Sequence, residues 1–139
     1  MDQALLDTDM FSEVLKAKNA NVVRNAMAYR QRYGRYTVSA VTVTEMVKGF
    51  HKRGREDRIQ GLVAGLATEE VLDLDLSSAI IAGRIYGELE KVGQPIGRAD
   101  PLIAGIALAR NLALVTGNTR HFERVVSLGF PLLLADWRT

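Results

Sequence analysis

Leu112-Ala113-Leu114-Val115-Thr116-Gly117-Asn118 is the stretch that decides the fold. Four apolar residues in a row leave no polar face, so the strand they form is buried on both sides, as strands of a parallel sheet are. Thr116-Gly117-Asn118 turns the chain, and Phe122 and Val125 mark a short helix beyond it. A strand covered on two faces requires helices on both, and the flanking sequence supplies them. Asp100-Pro101 opens a markedly apolar helix to about Arg110, and Leu132-Leu133-Leu134 reads as a last strand.

The rest of the chain repeats that alternation. Ala4-Leu5-Leu6 is a short apolar run that stops at Asp7-Thr8-Asp9, after which Met10, Phe11, Val14 and Leu15 recur at helical spacing. A second helix is predicted over residues 21 to 33, ended by Gly34, and Tyr36-Thr37-Val38 reads as a strand. From Thr42 the pattern is helical through Phe50, and another helix is expected over 56 to 68. Val71-Leu72-Asp73-Leu74 alternates as a strand ending at Asp75. Ser77 and Ser78 then offer N-caps for a helix reaching about Val92. A loop with Gly93, Pro95 and Gly97 leads to Asp100. Strands separated by helices throughout predict an α/β domain with a mostly parallel central sheet of four or five strands. We expect residues 1–139 to form one domain, since 139 residues, 47% hydrophobic and 24% charged, suffice for one core.

Composition removes several chemistries. With no cysteine there is no disulfide, thiolate zinc site or Cys nucleophile. His51 and His121 lie far apart, outside any H-E-x-x-H pattern, so a histidine zinc site is not expected. Any bound metal must then be held by carboxylates, which favours hard cations such as Mg²⁺ or Mn²⁺. A net charge of +2 and a pI near 9.1 are compatible with an RNA partner. No apolar run approaches the roughly 20 residues that cross a bilayer. The acidic start, with Asp2, Asp7 and Asp9, is unlike a signal peptide, so a cytoplasmic protein without membrane contact is expected.

Ligands of open α/β sheets bind beyond the carboxyl ends of the strands. Asp7 follows the first strand, Glu45 lies one turn into the helix after the second, Asp75 follows the third, and Asp100 opens the helix before the fourth. Carboxylates gathered at one edge repel one another unless a cation neutralises them. A divalent ion there acidifies a water, polarises a phosphoryl oxygen and shields an anionic transition state. Each acid also has a structural explanation. Asp7 suits an N-cap, Thr42-Val43-Thr44-Glu45 a capping box, Asp100 an N-cap before Pro101 at N1, and Asp75 a cap after its strand.

Taken together, Leu5-Leu6-Asp7-Thr8-Asp9, Ser39 to Met46 with Gly49, Gly93-Gln94-Pro95-Ile96-Gly97 through Asp100, Ile103-Ala104 and Ala107, and Leu114-Val115-Thr116-Gly117-Asn118 with Arg120, Phe122 and Arg124 resemble the PIN-domain family. More narrowly they resemble the VapC toxins of bacterial and archaeal toxin–antitoxin systems. The resemblance implies a PIN-like three-layer α/β/α domain and an Mg²⁺- or Mn²⁺-dependent endoribonuclease that leaves a 5′-phosphate and a 3′-hydroxyl. It makes Asp7 and Asp100 the principal metal ligands, and Glu45 a third acid that holds a metal or its activated water. Thr8 would orient Asp7, and Thr116 would support the site. The chain departs from the family pattern at Asp9, where Asn is usual, and at Asn118, where a fourth acid is common, which favours a single firmly held cation. The Gly-x-Pro-Ile-Gly segment, the run from Thr116 to Val125 and the closing Asp136-Trp137 resemble the subgroup that cuts initiator tRNA. A homodimer and an inhibitory VapB-type antitoxin are implied as well.

Basic residues are candidates for RNA contact. Lys48, Lys52, Arg53, Arg55 and Arg58 cluster toward the end of the Glu45 helix and beyond, where a solvated face or a complement to the helix C-terminus is the favoured explanation. Arg98 and Arg120 belong to motifs that must return to the acid edge. Two other readings stand beside the nuclease. A catalytically silent PIN-like module would only bind RNA or protein, with Asn118 as its mark. A haloacid-dehalogenase-like phosphatase would use Asp7-Thr8-Asp9 and Thr116, but it needs a later Lys, and none follows Thr116.

Overall fold

A computed structural model describes all residues, 1–139. Five short strands, β1 (Ala4–Leu6), β2 (Thr37–Ser39), β3 (Glu70–Leu72), β4 (Ala113–Val115) and β5 (Leu134–Ala135), alternate with seven helices. These are α1 (Thr8–Lys16), α2 (Ala20–Tyr33), α3 (Ala40–Lys52), α4 (Glu56–Leu66), α5 (Leu76–Lys91), α6 (Asp100–Ala109) and α7 (Thr119–Ser127). All three ladders are parallel: β1 with β4, β4 with β5, and β2 with β3. β2 lies beside β1 with no ladder between them, so the strands succeed one another as β3, β2, β1, β4, β5 in a parallel α/β architecture whose ladders form a three-stranded and a two-stranded sheet.

The apolar run at Leu112 behaves as its composition requires. Ala113 and Val115 enter one core with Ala4 and Leu6, together with Met10, Phe11, Val22, Tyr29 and Trp137. Leu114 and Leu5 point the other way, into a core with Ile85, Leu89, Ile103, Ile106 and Phe122. Successive residues of a strand face opposite sides, so β1 and β4 each supply both cores and are themselves fully buried.

Several local expectations are corrected. Helix α3 begins at Ala40 with Ser39 as its N-cap, Ser39 Oγ accepting from Thr42 N–H at 3.1 Å. The Thr42–Glu45 capping box therefore does not form: both residues sit inside the helix, and the half-buried Glu45 carboxylate accepts from the Thr8 hydroxyl instead. Asp75, not Ser77 or Ser78, caps α5, accepting from Ser78 N–H at 2.9 Å. Asp100 is not an N-cap either. It is the first residue of α6, whose N-cap position is Ala99 with no side-chain hydrogen bond. The third and fifth strands shift by a residue or two from the predicted runs, because pairing with β2 and β4, not apolarity alone, decides where a ladder starts.

Candidate active site

The parallel ladders fix which loops meet. Asp7 N–H donates to the Val115 carbonyl at 3.0 Å and Thr116 N–H to the Ala135 carbonyl at 2.9 Å. Asp7 and Thr116 are thus the first residues beyond two paired strands and stand side by side. A helix returning from a parallel strand runs antiparallel to it, so the start of α3 and the start of α6 come to the same edge. That brings Glu45 and Asp100 to Asp7.

Asp7 is buried, with 4% of its surface exposed. Its Oδ1 accepts from Met10 N–H at 2.8 Å, capping α1. Burial pushes its carboxyl up to about 6, against the opposing pull of Thr116 and the Met10 N–H, with the charges of Asp9 and Asp100 adding to the rise. Asp100 is also raised, first by burial and then by the charges of Glu45 and Asp9, with His121 acting against the shift. Asp7, Asp9, Asp100 and Glu45 are therefore one electrostatic cluster. Gly97 permits it: a Cβ there would come within 3.1 Å of Asp100 Oδ2.

Thr8, expected to orient Asp7, instead donates to Glu45 Oε1 at 2.5 Å, while its hydroxyl lies 3.0 Å from that of buried Thr42. Thr116 Oγ1 accepts from Asn118 N–H at 2.8 Å, fixing the turn that carries the Asn118 amide. His121, set aside as a zinc ligand, enters the site in another capacity. Its Nδ1 is 2.7 Å from Asn118 Nδ2 and 3.5 Å from Asp100 Oδ2. Unprotonated, that nitrogen accepts from the amide; protonated, it pairs with the carboxylate. The one signal for it in the sequence is its spacing, three residues past Asn118 on the same helix face. Tyr86, also unforeseen, donates its hydroxyl to the Arg98 carbonyl and feels the charge of Asp100.

The donor set consists of oxygens, and its mutual repulsion is what a hard divalent cation relieves, so these residues fit one. No three His, Asp or Glu side chains converge tightly enough to enclose an ion by themselves. Glu45 is held back by Thr8, which suits a cation that keeps several of its waters. The other basic candidates separate by position. Arg98 and Arg120 are exposed on segments adjoining Asp100 and Asn118. Lys48, Lys52 and Arg53 follow Glu45 along α3, Lys52 about 10 Å further down its axis, away from the acid edge. Arg53 stacks over Phe50 and Arg55 pairs with Asp57.

A parallel α/β sheet with carboxylates from separate segments gathered at its carboxyl edge is the arrangement of a PIN domain, and the family model described as PIN domain matches residues 4–128. The chain is 36% identical over 125 residues to the tRNA(fMet)-specific endonuclease VapC of Shigella flexneri, covering 89% of this chain and 92% of that one. It resembles the structure of DNA-bound VapBC from Salmonella typhimurium with a TM-score of 0.80 and 34% identity, covering 99% of each chain. It also resembles VapBC2 from Rickettsia felis bound to a promoter DNA fragment, with a TM-score of 0.79 and 26% identity over 96% of this chain and 98% of that one. The chain belongs to the PIN-domain family, among the VapC endoribonucleases of toxin–antitoxin systems. Membership removes the phosphatase reading.

Proposed function

We propose that this chain hydrolyses RNA phosphodiester bonds with a divalent cation, Mg²⁺ or Mn²⁺, held by Asp7 and Asp100, with Glu45 as the third acid. The observation that carries the reading is that four carboxylates from three separate segments meet at one sheet edge, close enough to raise one another's proton affinity. Bound there, the cation supplies charge for the anionic transition state and acidifies a water. Glu45, aimed by the Thr8 hydroxyl, holds that water and takes its proton. Asn118, held by Thr116, offers its amide to a phosphate oxygen. Arg98 and Arg120 lie where the flanking backbone of a bound RNA passes.

Initiator tRNA is the substrate we propose, on the strength of the relative named for it. A VapB-type antitoxin is the proposed partner, since the similar solved structures are VapBC complexes. A groove of about 720 Å³ walled by Phe11, Leu15, Met46, Phe50 and Leu62 and rimmed by Arg53 and Arg58 suits an apolar, acidic-flanked segment of such a protein. A homodimer belongs to the same proposal, supported by the exposed apolar residues Leu74, Leu76 and Ile80 around the start of α5. So does action in the cytoplasm; no helix is long and apolar enough to cross a membrane.

The test is cleavage of an initiator tRNA transcript with Mg²⁺ or Mn²⁺, with EDTA, and with Asp100→Asn. Chelation and the substitution are each expected to reduce the rate at least 100-fold, with metal restoring the chelated sample. Undiminished cleavage in EDTA or by Asp100→Asn would overturn the carboxylate mechanism. Binding without cleavage by the wild-type protein would favour the silent-module reading.

A further inference from the structure

The last four residues fold back over the acid edge, and the function proposed above gives them no role. Trp137 is buried against Tyr29 and Tyr36. The side-chain amides of Asn25 and Asn21 donate to the carbonyls of Trp137 and Arg138, both at 2.9 Å. Pinned this way, Arg138 is clamped by its neighbour: its N–H and Nε donate to Asp136 Oδ1 at 2.9 and 3.2 Å, and Nη2 donates to Asp136 Oδ2 at 3.2 Å and to the Gly117 carbonyl. Its guanidinium occupies the space a side chain at residue 117 would need, with Cζ 2.6 Å from where a Cβ would be. Gly117 therefore serves as room for a cation in the turn between Thr116 and Asn118.

These bonds engage Nε and Nη2, leaving the two Nη1 donors without a protein acceptor on a side chain that is 42% exposed. Arg138 lines a cleft of about 410 Å³ together with Lys16, Gly117 and Asn118 and with the acids Asp9 and Glu13. One Glu13 carboxylate oxygen is buried there without a hydrogen-bond partner. An arginine held rigidly, with two free donors on one nitrogen and a lysine lining the same cleft, suits a phosphate oxygen, which accepts charge-assisted hydrogen bonds from it. The scissile phosphate has to face Asp7 and Asp100, so this position serves a neighbouring one.

We propose that Arg138, with Lys16, forms a subsite for an RNA phosphate flanking the one that is cut, on the Asn118 side of the acids. The subsite rests on the ribonuclease reading. Asp136 presents the guanidinium.

Binding is measured by fluorescence anisotropy with a labelled initiator tRNA transcript, in an Asp100→Asn background that prevents cleavage, across about 50–200 mM salt. Arg138→Ala and Lys16→Ala are each expected to weaken binding about 5- to 10-fold and to flatten the salt dependence by about one unit of slope. Arg138→Lys should keep the slope and recover part of the affinity. In the cleaving protein, Arg138→Ala should raise KM several-fold with kcat little changed. A mere brace for the Gly117 turn would instead lower the melting temperature and kcat and leave affinity and slope untouched, which overturns the subsite. Unchanged binding by Arg138→Ala in a background that binds RNA overturns the subsite alone. A wild-type protein that neither binds nor cleaves RNA overturns the ribonuclease reading and the subsite with it.

Discussion

Asp7 does two things with one carboxyl group: Oδ1 closes the first turn of α1 on Met10 N–H, and its charge faces Asp9 and Asp100. The structural explanation that its sequence position allowed holds, and the charge that the proposed catalysis needs sits on the same group, at a cost. Its proton affinity in the folded protein, about 6, lies above the ordinary 3.8. Between those values the native state binds the proton more tightly than the unfolded chain does. The metal-free protein consequently loses stability as pH rises from about 4 to 6, by up to about 3 kcal/mol, and does not regain it above 6. Asp7→Asn keeps an acceptor for the Met10 N–H and deletes the charge. In urea titrations of the metal-free protein at pH 7 it should be more stable by about 1–3 kcal/mol, with the difference vanishing near pH 4, while RNA cleavage is lost. Equal stability at pH 7 would mean that burial does not dominate the Asp7 environment. Asp9, the neighbouring extra acid, raises both Asp7 and Asp100, so it strengthens the demand for a cation whether or not it touches one.

Beyond α1, which Asp7 caps while also facing the acids, capping separates structural polar residues from those free for chemistry. Asn19, Ser39 and Asp75 spend their side chains on the first turns of α2, α3 and α5. The N-cap positions of α6 and α7, by contrast, make no side-chain cap bond. Asp100 and Asn118 stand at those two helix starts, which leaves both free to face the site. The position of Asp100 depends on how closely α6 lies on α5. At Gly105 a Cβ would be 2.6 Å from the Ser78 carbonyl oxygen and 2.9 Å from Ala82 Cβ, so only glycine permits the contact. Gly105→Ala should separate the helices, cost about 1–3 kcal/mol in thermal or urea unfolding, and lower kcat as Asp100 moves from Asp7. A variant with wild-type stability would show that the α5–α6 contact relaxes freely. The buried Ser78 hydroxyl at the same contact has no hydrogen-bond partner, and nothing in the structure explains it.

For the molecule as a whole, the exposed apolar residues around the start of α5 are the feature a solitary chain does not need. Leu76 is 77% exposed and Ile80 47%, and burying such a patch favours association. Light scattering on the purified chain should report a dimer, and Leu76→Asp should shift it toward monomer; an unshifted mass would locate the interface elsewhere. The strand-and-helix alternation, the doubly buried β4 and the identity of the candidate acids were legible in the sequence, because apolar runs, breaks and spacing are properties of neighbours along the chain. Whether each acid caps a helix or faces the site was not. Thr42-Val43-Thr44-Glu45 satisfied the capping pattern, yet the helix began at Ala40 with Ser39 as its cap, because pairing of β2 with β3 set where the strand stopped. The contacts of His121 and Arg138 were not legible for a related reason. One reaches Asp100 across the β4–α7 turn, and the other arrives from a tail held by Trp137, Asn21 and Asn25. The sequence by itself determined the class of fold and the acids available to it. Only the tertiary structure decided which side chains meet, Arg138 at the Gly117 turn among them, since contacts between distant segments are fixed by the packing of two cores against the strands and by no local rule.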